Sequence, residues 1–206
     1  MKMLNKGNSR LDHQIICDLV APRSSVLDLG CGDGDLLLLL SEKKQISGQG
    51  VEINEQEIYK CVEKGLNVLH GDIDTELAEY KDKSFDYVIL NESLQQVIHL
   101  EEVLVNALRV GKKVIVGFPN FTYYKSRFQV FFLGRTPITA ALPYKWYQTP
   151  NLHFLTISDF KHYCIEKGIN IEKEIYLNFK KRMYFLPNLF ANFGIFQISQ
   201  NDVKAE

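Results

Sequence analysis

Short apolar runs alternate with longer stretches of helical periodicity along the first half of the chain. The apolar runs are rich in β-branched residues, which is typical of buried strands. They predict strands at Ser25–Leu29, Gly50–Ile53, Asn67–Leu69, Phe85–Leu90 and Lys113–Gly117. The intervening stretches predict helices at Leu36–Lys43, Glu55–Lys64, Asp74–Tyr80 and Leu100–Leu108. Strict alternation of strand and helix at these spacings predicts a parallel sheet with helices on both faces.

Helical periodicity also precedes the first strand and resumes near the carboxyl end. An amphipathic helix is predicted from about Leu11 to Val20, with apolar residues along one side. A later helix is predicted from about Ser158 to Lys167, where Thr156 is the expected N-cap and Gly168 the expected stop. Two apolar runs then predict the strands that complete the sheet, at Ile169–Leu177 and Phe193–Ile198. The fold class that follows is α/β, with a mostly parallel sheet.

Residues 118–155 interrupt this alternation. They hold four of the six prolines, 11 of the 24 aromatic residues and Trp146, the one tryptophan of the chain. We predict one domain over residues 1–206, in which this segment is an aromatic and proline-rich elaboration over the binding edge of the sheet. The helical spacing of Phe128, Phe131 and Phe132 favours packing of the segment into the core. The alternative is an exposed apolar surface of the kind that a protein partner buries.

A glycine-rich loop directly follows the first predicted strand. The segment Val26–Gly34 reads VLDLGCGDG and places Gly30, Gly32 and Gly34 between a buried strand and a helix. Glycine permits positive φ and lets a ligand approach the main chain closely. Because ligands of open α/β sheets bind at the carboxyl ends of the strands, the loop predicts a binding site.

The residues around the loop restrict the class of ligand. The dinucleotide fingerprint G-x-G-x-x-G requires a third glycine where Asp35 stands, and no Lys-Ser or Lys-Thr pair follows to complete a phosphate loop. Asp28 and Asp33 add further carboxylates, and no Lys or Arg lies in residues 25–41. A carboxylate-ringed pocket with no basic residue nearby repels a pyrophosphate. It suits S-adenosylmethionine (SAM), which has no phosphate and carries a sulfonium and an ammonium group.

Polar residues end the neighbouring predicted strands. Glu52 ends the second strand, where a carboxylate can accept hydrogen bonds from both hydroxyls of a ribose. Asp72 follows the third strand and is predicted to bind the adenine amino group, while Ile73 packs against the ring. Asp74 has a competing role as N-cap of the next helix. Asn91 ends the fourth strand, where it is expected to lie near the methyl group of SAM.

The composition of the chain limits the classes of partner that it is expected to bind. The chain has 206 residues, of which 46% are apolar and 24% charged, and its formal net charge is −1. This balance is typical of a globular domain and gives no general attraction to nucleic acid or to an anionic membrane. The cysteines form no C-x-x-C pair, so neither a zinc site nor a disulfide framework is predicted. With no signal peptide or membrane span visible, we expect a cytoplasmic protein without a bound metal.

These segments resemble class I SAM-dependent methyltransferases and, more narrowly, the MetW family of methionine biosynthesis proteins. The resemblance extends from about residue 9 to residue 177. It is carried by Val26–Leu37 (VLDLGCGDGDLL), Gly50–Ile53 (GVEI), Gly65–Asp74 (GLNVLHGDID), Ser84–Val97 (SFDYVILNESLQQV), Phe118–Phe121 (FPNF) and Thr136–Phe160 (TPITAALPYKWYQTPNLHFLTISDF). The first four are shared widely among methyltransferases, whereas the segment that contains Trp146 is specific to the narrower family.

The resemblance implies a Rossmann-like, seven-stranded methyltransferase fold that holds SAM or S-adenosylhomocysteine (SAH) at the carboxyl edge of the sheet. By motif position, the glycines line the methionine part of the ligand and Asp28 supports its ammonium group. The implied cofactor-binding residues are Asp28, Gly30, Cys31, Gly32, Gly34, Glu52, Ile53, Asp72, Ile73 and Asn91. The family also implies a role in methionine biosynthesis beside a homoserine O-acyltransferase.

Three functions stay open at this point. The chain is a SAM-binding partner or regulator of a homoserine O-acyltransferase, an active methyltransferase on a small acid or amine, or a Rossmann domain for NAD or a nucleotide sugar. The missing third glycine and the acidic rim disfavour the last. Tyrosine and histidine are candidate bases, and arginine binds carboxylates. Residues 118–155 supply such candidates for contacts with a substrate or partner: Tyr123, Arg127, Arg135, Tyr144, Trp146, Tyr147 and His153.

Overall fold

The strands of the described chain form one mixed sheet. The computed structural model describes residues 10–179 and 181–201. Within these residues the strands are β1 (Ser25–Leu29), β2 (Ser47–Glu52), β3 (Val68–His70), β4 (Phe85–Asn91), β5 (Gly111–Pro119), β6 (Ile169–Asn178), β7 (Lys181–Arg182) and β8 (Phe193–Gln200). Their spatial order is β3-β2-β1-β4-β5-β8-β6-β7. Adjacent strands from β3 to β5 run parallel, whereas β8 pairs antiparallel with both β5 and β6.

The helices of the described residues follow the predicted alternation. They are α1 (Leu11–Leu19), α2 (Asp35–Lys44), α3 (Glu55–Glu63), α4 (Ile73–Glu76), α5 (Leu100–Val110), α6 (Tyr124–Leu133), α7 (Ile157–Glu166) and α8 (Pro187–Phe190), with a 3-10 turn at Leu77–Glu79. Thr156 caps α7 as predicted, because its side chain accepts a hydrogen bond from the N–H of Asp159. Within residues 10–179 and 181–201, no helix is long and apolar enough to cross a membrane.

The core lies on both faces of the sheet. On β1, Leu27 and Leu29 pack with residues of α5 and α7 on one face, whereas Val26 packs with residues of α1 and α2 on the other. Alternate residues of a strand point to opposite faces, so a strand buried on both sides is apolar at nearly every position. Asp28 is the exception on β1, and its burial on such a strand marks it as a residue with a specific role.

Three details differ from the sequence-based expectations. The sheet has eight described strands rather than seven, because the two-residue β7 adds an edge beyond β6. The predicted helix over residues 74–80 is only the single turn of α4 followed by the 3-10 turn. The prediction that Asp74 is the N-cap there is wrong. Asp72 caps α4 by accepting a hydrogen bond from the N–H of Asp74 at 3.0 Å.

Residues 118–155 contain a helix whose bounds were not predicted, although Phe128, Phe131 and Phe132 have helical spacing. This helix, α6, begins after Tyr123 and ends where Gly134 adopts a left-handed conformation. Its buried residue is Ser126, and the expectation that Phe128, Phe131 and Phe132 form core is wrong, because all three side chains are exposed. The segment returns to the sheet near Gln95, whose carbonyl accepts hydrogen bonds from the N–H groups of residues 152 and 153.

Candidate functional site at the carboxyl edge of the sheet

The chain reverses its direction of progress across the sheet between β1 and β4. From β1 it moves outward to β2 and β3, and then it returns to β4 and moves to β5. The loops that leave β1 and β4 therefore diverge at their carboxyl ends, which is where ligands of open α/β sheets bind. The glycine loop follows β1, Glu52 ends β2, Asp72 lies two residues after β3, and Asn91 ends β4. The sequence-predicted residues are thus gathered at one edge.

Glu52 connects the glycine loop of β1 to the end of β2. Its Oε2 accepts a hydrogen bond from the N–H of Gly32 at 2.8 Å. Its Oε1 accepts from the N–H groups of Ile53 and Asn54, both at 2.9 Å. A carboxylate offers about four acceptor positions, so three are used and one on Oε2 remains. Glu52 was predicted to accept from two ribose hydroxyls, and the structure leaves room for one without rearrangement.

The three glycines of the loop have different surroundings. All three have positive φ, at 74° for Gly30, 56° for Gly32 and 77° for Gly34. A Cβ on Gly30 would lie 2.8 Å from the Cβ of Ser93. A Cβ on Gly34 would contact Leu66 and lie 2.9 Å from Cys61 Sγ, whereas a Cβ on Gly32 would meet nothing within 4 Å. Only at Gly32 is the main chain open to a ligand, and at the other two the glycine is required by packing.

Cys31 lies between two of these glycines, and its side chain points inward. A Cβ built on Gly50 would lie 2.5 Å from Cys31 Sγ, which shows how closely the thiol packs against β2. Burial raises the pKa of this thiol well above its ordinary range. Cys31 therefore offers a ligand its main chain, and its thiol remains protonated.

Asp28 is a buried carboxylate near the base of the loop. Its side chain is 2% exposed, and within residues 10–179 and 181–201 no group donates a hydrogen bond to it. Burial, with a smaller contribution from the negative charge of Glu52, raises the pKa of Asp28 to about 7. The site therefore holds a carboxyl group that lacks a partner and ionises near neutral pH.

The expectation that no basic residue lies near the loop is wrong. Lys64, at the end of α3, donates hydrogen bonds from Nζ to the carbonyl oxygen of Asp33 and to Asp35 Oδ1, both at 2.6 Å. This lysine is distant in sequence, so the local run of residues 25–41 did not reveal it. It neutralises part of the outer rim, and within residues 10–179 and 181–201 neither Asp28 nor Glu52 forms an ion pair.

A second cluster of charges lies at the end of β4. Asn91 Nδ2 donates to Asp12 Oδ2 at 3.0 Å, and Arg10 forms ion pairs with both Asp12, at 2.7 Å, and Glu92. Burial opposes the charge of Asp12, but the hydrogen bond and charge of Arg10 lower its pKa below the ordinary value. The start of α1 is therefore attached to the edge where Asn91 was predicted to lie. Arg10 and Asp12 were not predicted from the sequence, because their contacts with residues 91 and 92 span about 80 residues.

Two residues in the loop after β4 were also missed. Ser93 and Gln95 are buried, and Ser93 Oγ, Gln95 Oε1 and Asn91 Oδ1 lack hydrogen-bond partners within the described residues. Buried polar atoms without partners are rare in folded proteins and often mark positions where a ligand or water binds. Their signal in the sequence was weak, since Asn, Ser and Gln are common in loops.

The residues predicted to contact adenine lie at the outer end of the site. Asp72 is exposed, and its Oδ1 accepts the N–H of Asp74. Ile73 lies against Gly30, where a Cβ would come within 3.3 Å of its Cδ1, and Ile53 is exposed at the end of β2. Asp74 instead accepts from the N–H groups of Ile98 and His99 and thereby fixes the start of α5.

The candidates in residues 118–155 do not converge on one point. Tyr123 is buried, and this burial raises its pKa to about 12, so it is not available as a base at neutral pH. His153 lies at the edge of the site, where Nε2 contacts the carbonyl oxygen of Val97 at 3.0 Å. The remaining candidates have exposed side chains: Arg127, Arg135, Tyr144, Trp146 and Tyr147. The described residues bring no three His, Cys, Asp or Glu side chains together in a way that could hold a metal ion.

Comparison with known proteins identifies the family. Residues 10–198 match the family described as Methionine biosynthesis protein MetW. The chain is 34% identical over 175 residues to the Bifunctional methionine biosynthesis protein MetXA/MetW of Rhodopirellula baltica, a match that covers 81% of this chain and 28% of that protein. It is also 26% identical over 167 residues to a demethylmenaquinone methyltransferase of Shouchella clausii, covering 71% of this chain and 70% of the relative.

Solved structures of other proteins superpose on this chain and have the same fold. A SAM-dependent methyltransferase from Archaeoglobus fulgidus superposes with a TM-score of 0.66 at 19% identity, covering 92% of this chain and 91% of that one. A putative S-adenosylmethionine-dependent methyltransferase from Listeria monocytogenes gives a TM-score of 0.68 at 12% identity, covering 92% and 96%. The chain therefore belongs to the MetW family of methionine biosynthesis proteins and has the fold of the class I SAM-dependent methyltransferases.

Proposed function

We propose that this chain binds SAM and SAH between the glycine loop and Asn91. The observation that carries the proposal is the buried carboxyl group of Asp28, which lies beside the loop and lacks a partner. Burying an unpaired charge is costly, and a cationic ligand that reaches Asp28 would offset that cost. An ammonium group supplies the required charge, whereas a pyrophosphate would add repulsion from both Asp28 and Glu52.

The residues at the edge fit the parts of such a ligand. Asp28 would hold the ammonium group, and the open main chain at Gly32 would lie along the methionine part. The free acceptor position of Glu52 would take one ribose hydroxyl, while Asp72 and Ile73 would bind the adenine. When bound, SAM supplies an activated methyl group. The protein would contribute orientation and exclusion of water, both of which raise the rate of a transfer without a side-chain nucleophile.

We infer further that SAM binding serves methionine biosynthesis through a homoserine O-acyltransferase, which this chain supports or regulates. Membership of the MetW family supports the pathway. The Rhodopirellula baltica relative carries MetXA and MetW in the name of one bifunctional protein, and we take its MetXA part to be the acyltransferase. Since this chain spans 28% of that relative, the association of two separate chains is part of the proposal.

Calorimetry tests which ligand the chain binds. We expect SAM and SAH to bind, NAD to give no heat of binding, and the Asp28→Asn variant to lose at least tenfold in affinity for SAM. The variant Asp18→Asn is a matched control, because Asp18 is exposed on α1 and away from the edge. Binding of NAD, or equal SAM affinity of the Asp28→Asn variant, would contradict the proposal.

Enzyme assays test the role in the pathway. The rate of the purified homoserine O-acyltransferase of the same organism is measured alone, with this chain, and with this chain plus SAM. We expect the chain to change the rate and SAM to change the size of that effect. A rate that is the same in all three conditions would reject the regulatory role and leave SAM binding as a separate question.

An active methyltransferase on a small acid or amine is the second candidate. The unpartnered atoms Asn91 Oδ1, Ser93 Oγ and Gln95 Oε1 favour it, because they offer acceptors to a second polar ligand near the proposed position of the methyl group. Incubation of the protein with methyl-labelled SAM and a metabolite extract tests this function. Label in a new small molecule supports it, and no transfer by a preparation that binds SAM rejects it for the acceptors present.

A further inference from the structure

The carboxyl-terminal part of helix α6, residues 128–133, is apolar around its circumference and largely exposed. Five of the six residues from 128 to 133 are apolar, and only Gln129 breaks the run. At about 3.6 residues per turn, such a run covers the whole circumference of a helix. Phe131 is 82% exposed and Phe132 is 67% exposed. A helix that is apolar on every side is normally buried. We call the exposed residues Phe128, Val130, Phe131, Phe132 and Leu133, with Lys125, Arg127 and Arg135 beside them, the α6 surface.

The α6 surface is an ordered part of the fold. The side-chain amide of Gln129 exchanges two hydrogen bonds of 3.0 Å with the main chain of Ile138, which fixes the helix to the loop that follows. The ring of Phe132 lies 4.9 Å from the ring of Phe128 and 4.8 Å from that of Phe131. Ordered, exposed aromatic side chains of this kind lose little conformational entropy when a partner covers them.

The stretch of sequence that contains α6 carries charge of one sign. Residues 103–158 contain no Asp or Glu and seven basic residues, in a chain whose formal net charge is −1. Four of the seven lie in residues 118–155, and within the described residues none of these four forms an ion pair. Lys125 instead lies near the rings of Tyr124 and Phe179, at 6.0 and 5.8 Å from their centroids. The complementary surface is therefore apolar at its centre and acidic at its rim.

We propose that the α6 surface is the docking face for the homoserine O-acyltransferase, which would receive α6 in an apolar groove with an acidic rim. The inference rests on the association proposed above and adds the surface through which it occurs. A second copy of this chain fits less well, because a two-fold interface would bring the same unneutralised basic residues together. An anionic membrane also fits less well. Helices that lie on membranes have one apolar and one charged face, whereas the apolar residues 128–133 extend around α6 and its two basic residues precede them along the helix.

The same segment reaches the proposed SAM site. Tyr144 and Trp146 line a small cavity together with Thr136 and Pro137, so the chain after α6 packs as one unit with the stretch that leads back to the sheet. That stretch ends where the N–H groups of residues 152 and 153 donate to the carbonyl oxygen of Gln95, at 2.8 and 3.1 Å. A partner on the α6 surface would thus be connected to the loop after β4 through a short, ordered path.

The experiment measures binding of the purified acyltransferase to four variants of the full chain. Phe131→Ser with Phe132→Ser removes the apolar centre, and Lys125→Glu with Arg135→Glu reverses the charge. The matched controls are Ile165→Ser, which removes an apolar side chain 75% exposed on α7, and Lys81→Glu in a loop on another part of the surface. All four should keep the wild-type melting temperature and SAM affinity, which shows that they fold.

We expect both α6 variants to weaken binding at least tenfold, the two controls to bind as the wild type does, and the wild-type affinity to fall with salt. If the α6 variants bind the acyltransferase as tightly as the wild type does, the proposal that the α6 surface is the docking face is wrong, and the proposed association remains supported. If the wild type does not bind the acyltransferase, both proposals are wrong. Wild-type self-association, or binding to phosphatidylglycerol vesicles, that the α6 variants abolish would assign the surface to another occupant and overturn the inference.

Discussion

The N–H of Gly32 donates a hydrogen bond to Glu52 Oε2, so the carboxylate proposed to hold a ribose also fixes the loop that faces the ligand. The same carboxylate accepts from Ile53 and Asn54 on its other oxygen. One side chain therefore joins the ends of β1 and β2. A ligand that binds Glu52 meets a loop already in position, because the loop and the acceptor are held by the same group.

Glu52→Gln should weaken SAM binding and destabilise the fold. The amide has one oxygen, so it can accept from Gly32 or from the pair that follows β2, Ile53 and Asn54, and its NH₂ group must face whichever donor is left. We expect a loss of about 1 kcal/mol in the free energy of unfolding, because the hydrogen bonds of Glu52 are only partly buried or exposed, and a tenfold or greater loss of SAM affinity. Urea unfolding and calorimetry measure the two effects. Glu63→Gln, exposed at the end of α3, is the control and should change neither.

The pKa of Asp28, about 7 in the folded protein, predicts a pH dependence of stability. The unfolded chain ionises Asp28 near 4 and the folded chain only near 7. Between these values the unfolded state therefore binds fewer protons, and stability falls as pH rises. Asp28→Asn removes this loss, so its free energy of unfolding should rise relative to wild type between pH 4 and pH 7 and then stay level. Three pKa units set an upper limit of about 4 kcal/mol on the change.

SAM affinity should depend on pH in the opposite sense. The ammonium group requires the ionised form of Asp28, so the wild-type dissociation constant should rise about tenfold for each pH unit below 7 and level off above it. The Asp28→Asn variant should bind weakly with no such dependence. Calorimetry between pH 5.5 and 8.5 gives both curves. Parallel curves for the two proteins would show that Asp28 does not titrate with the ligand.

Gly32→Ala and Gly34→Ala should separate ligand binding from folding. Both place a Cβ at positive φ, which costs about 1 kcal/mol. At Gly34 the new methyl also meets Leu66 and Cys61, so we expect a further loss and a total of about 2–4 kcal/mol. At Gly32 the methyl enters open space, so stability should fall little while SAM affinity falls at least tenfold. Thermal unfolding and calorimetry on the same samples compare the two. A larger loss of stability at Gly32 than at Gly34 would contradict the assignment.

The elements that follow from local pattern were predictable. The apolar run of β1, the cap at Thr156 and the loop at Gly30–Gly34 each depend on residues close in sequence, and the structure has them where the sequence placed them. The contacts that determine charge at the site are not local. Lys64 reaches Asp35 across 29 residues, and no run of residues around the loop contains it.

Whether α6 is buried or exposed could not be predicted from its sequence, because burial also depends on contacts between residues distant in sequence. Three phenylalanines at helical spacing indicate an apolar helix, and an apolar helix is usually core. Whether another element of the same chain covers it depends on the fold as a whole, and here Ser126 is its buried residue. The exposure of the helix is therefore information that the structure adds.

Asp12→Asn should detach α1 from the site edge. Asp12 Oδ2 accepts from Arg10 Nη2 at 2.7 Å and from Asn91 Nδ2 at 3.0 Å, and His13 lies 3.9 Å away. The charge of Arg10 lowers the folded-state pKa of Asp12, so its contribution to stability is complete above the unfolded value near 4 and is lost as pH falls through the lower folded value. At pH 7 the variant should lose about 1–3 kcal/mol in the free energy of unfolding, as for a hydrogen bond to a charged group.

Urea unfolding at pH 7, 5 and 3 tests whether the contribution of Asp12 to stability is lost as the pH falls. The difference between wild type and Asp12→Asn should be the same at pH 7 and pH 5 and smaller at pH 3, which lies below the unfolded value near 4, so that the unfolded wild-type chain takes up a proton there. Asp18→Asn changes an exposed residue of the same helix and should have almost no effect at any of the three values. The first variant keeps one acceptor oxygen where Asp12 has two, so Arg10 and Asn91 compete for it; Asn91 is then held less firmly and SAM affinity should fall as well. A variant that is less stable but binds SAM as tightly as wild type would mean that Asn91 does not need Asp12 to hold its place at the end of β4.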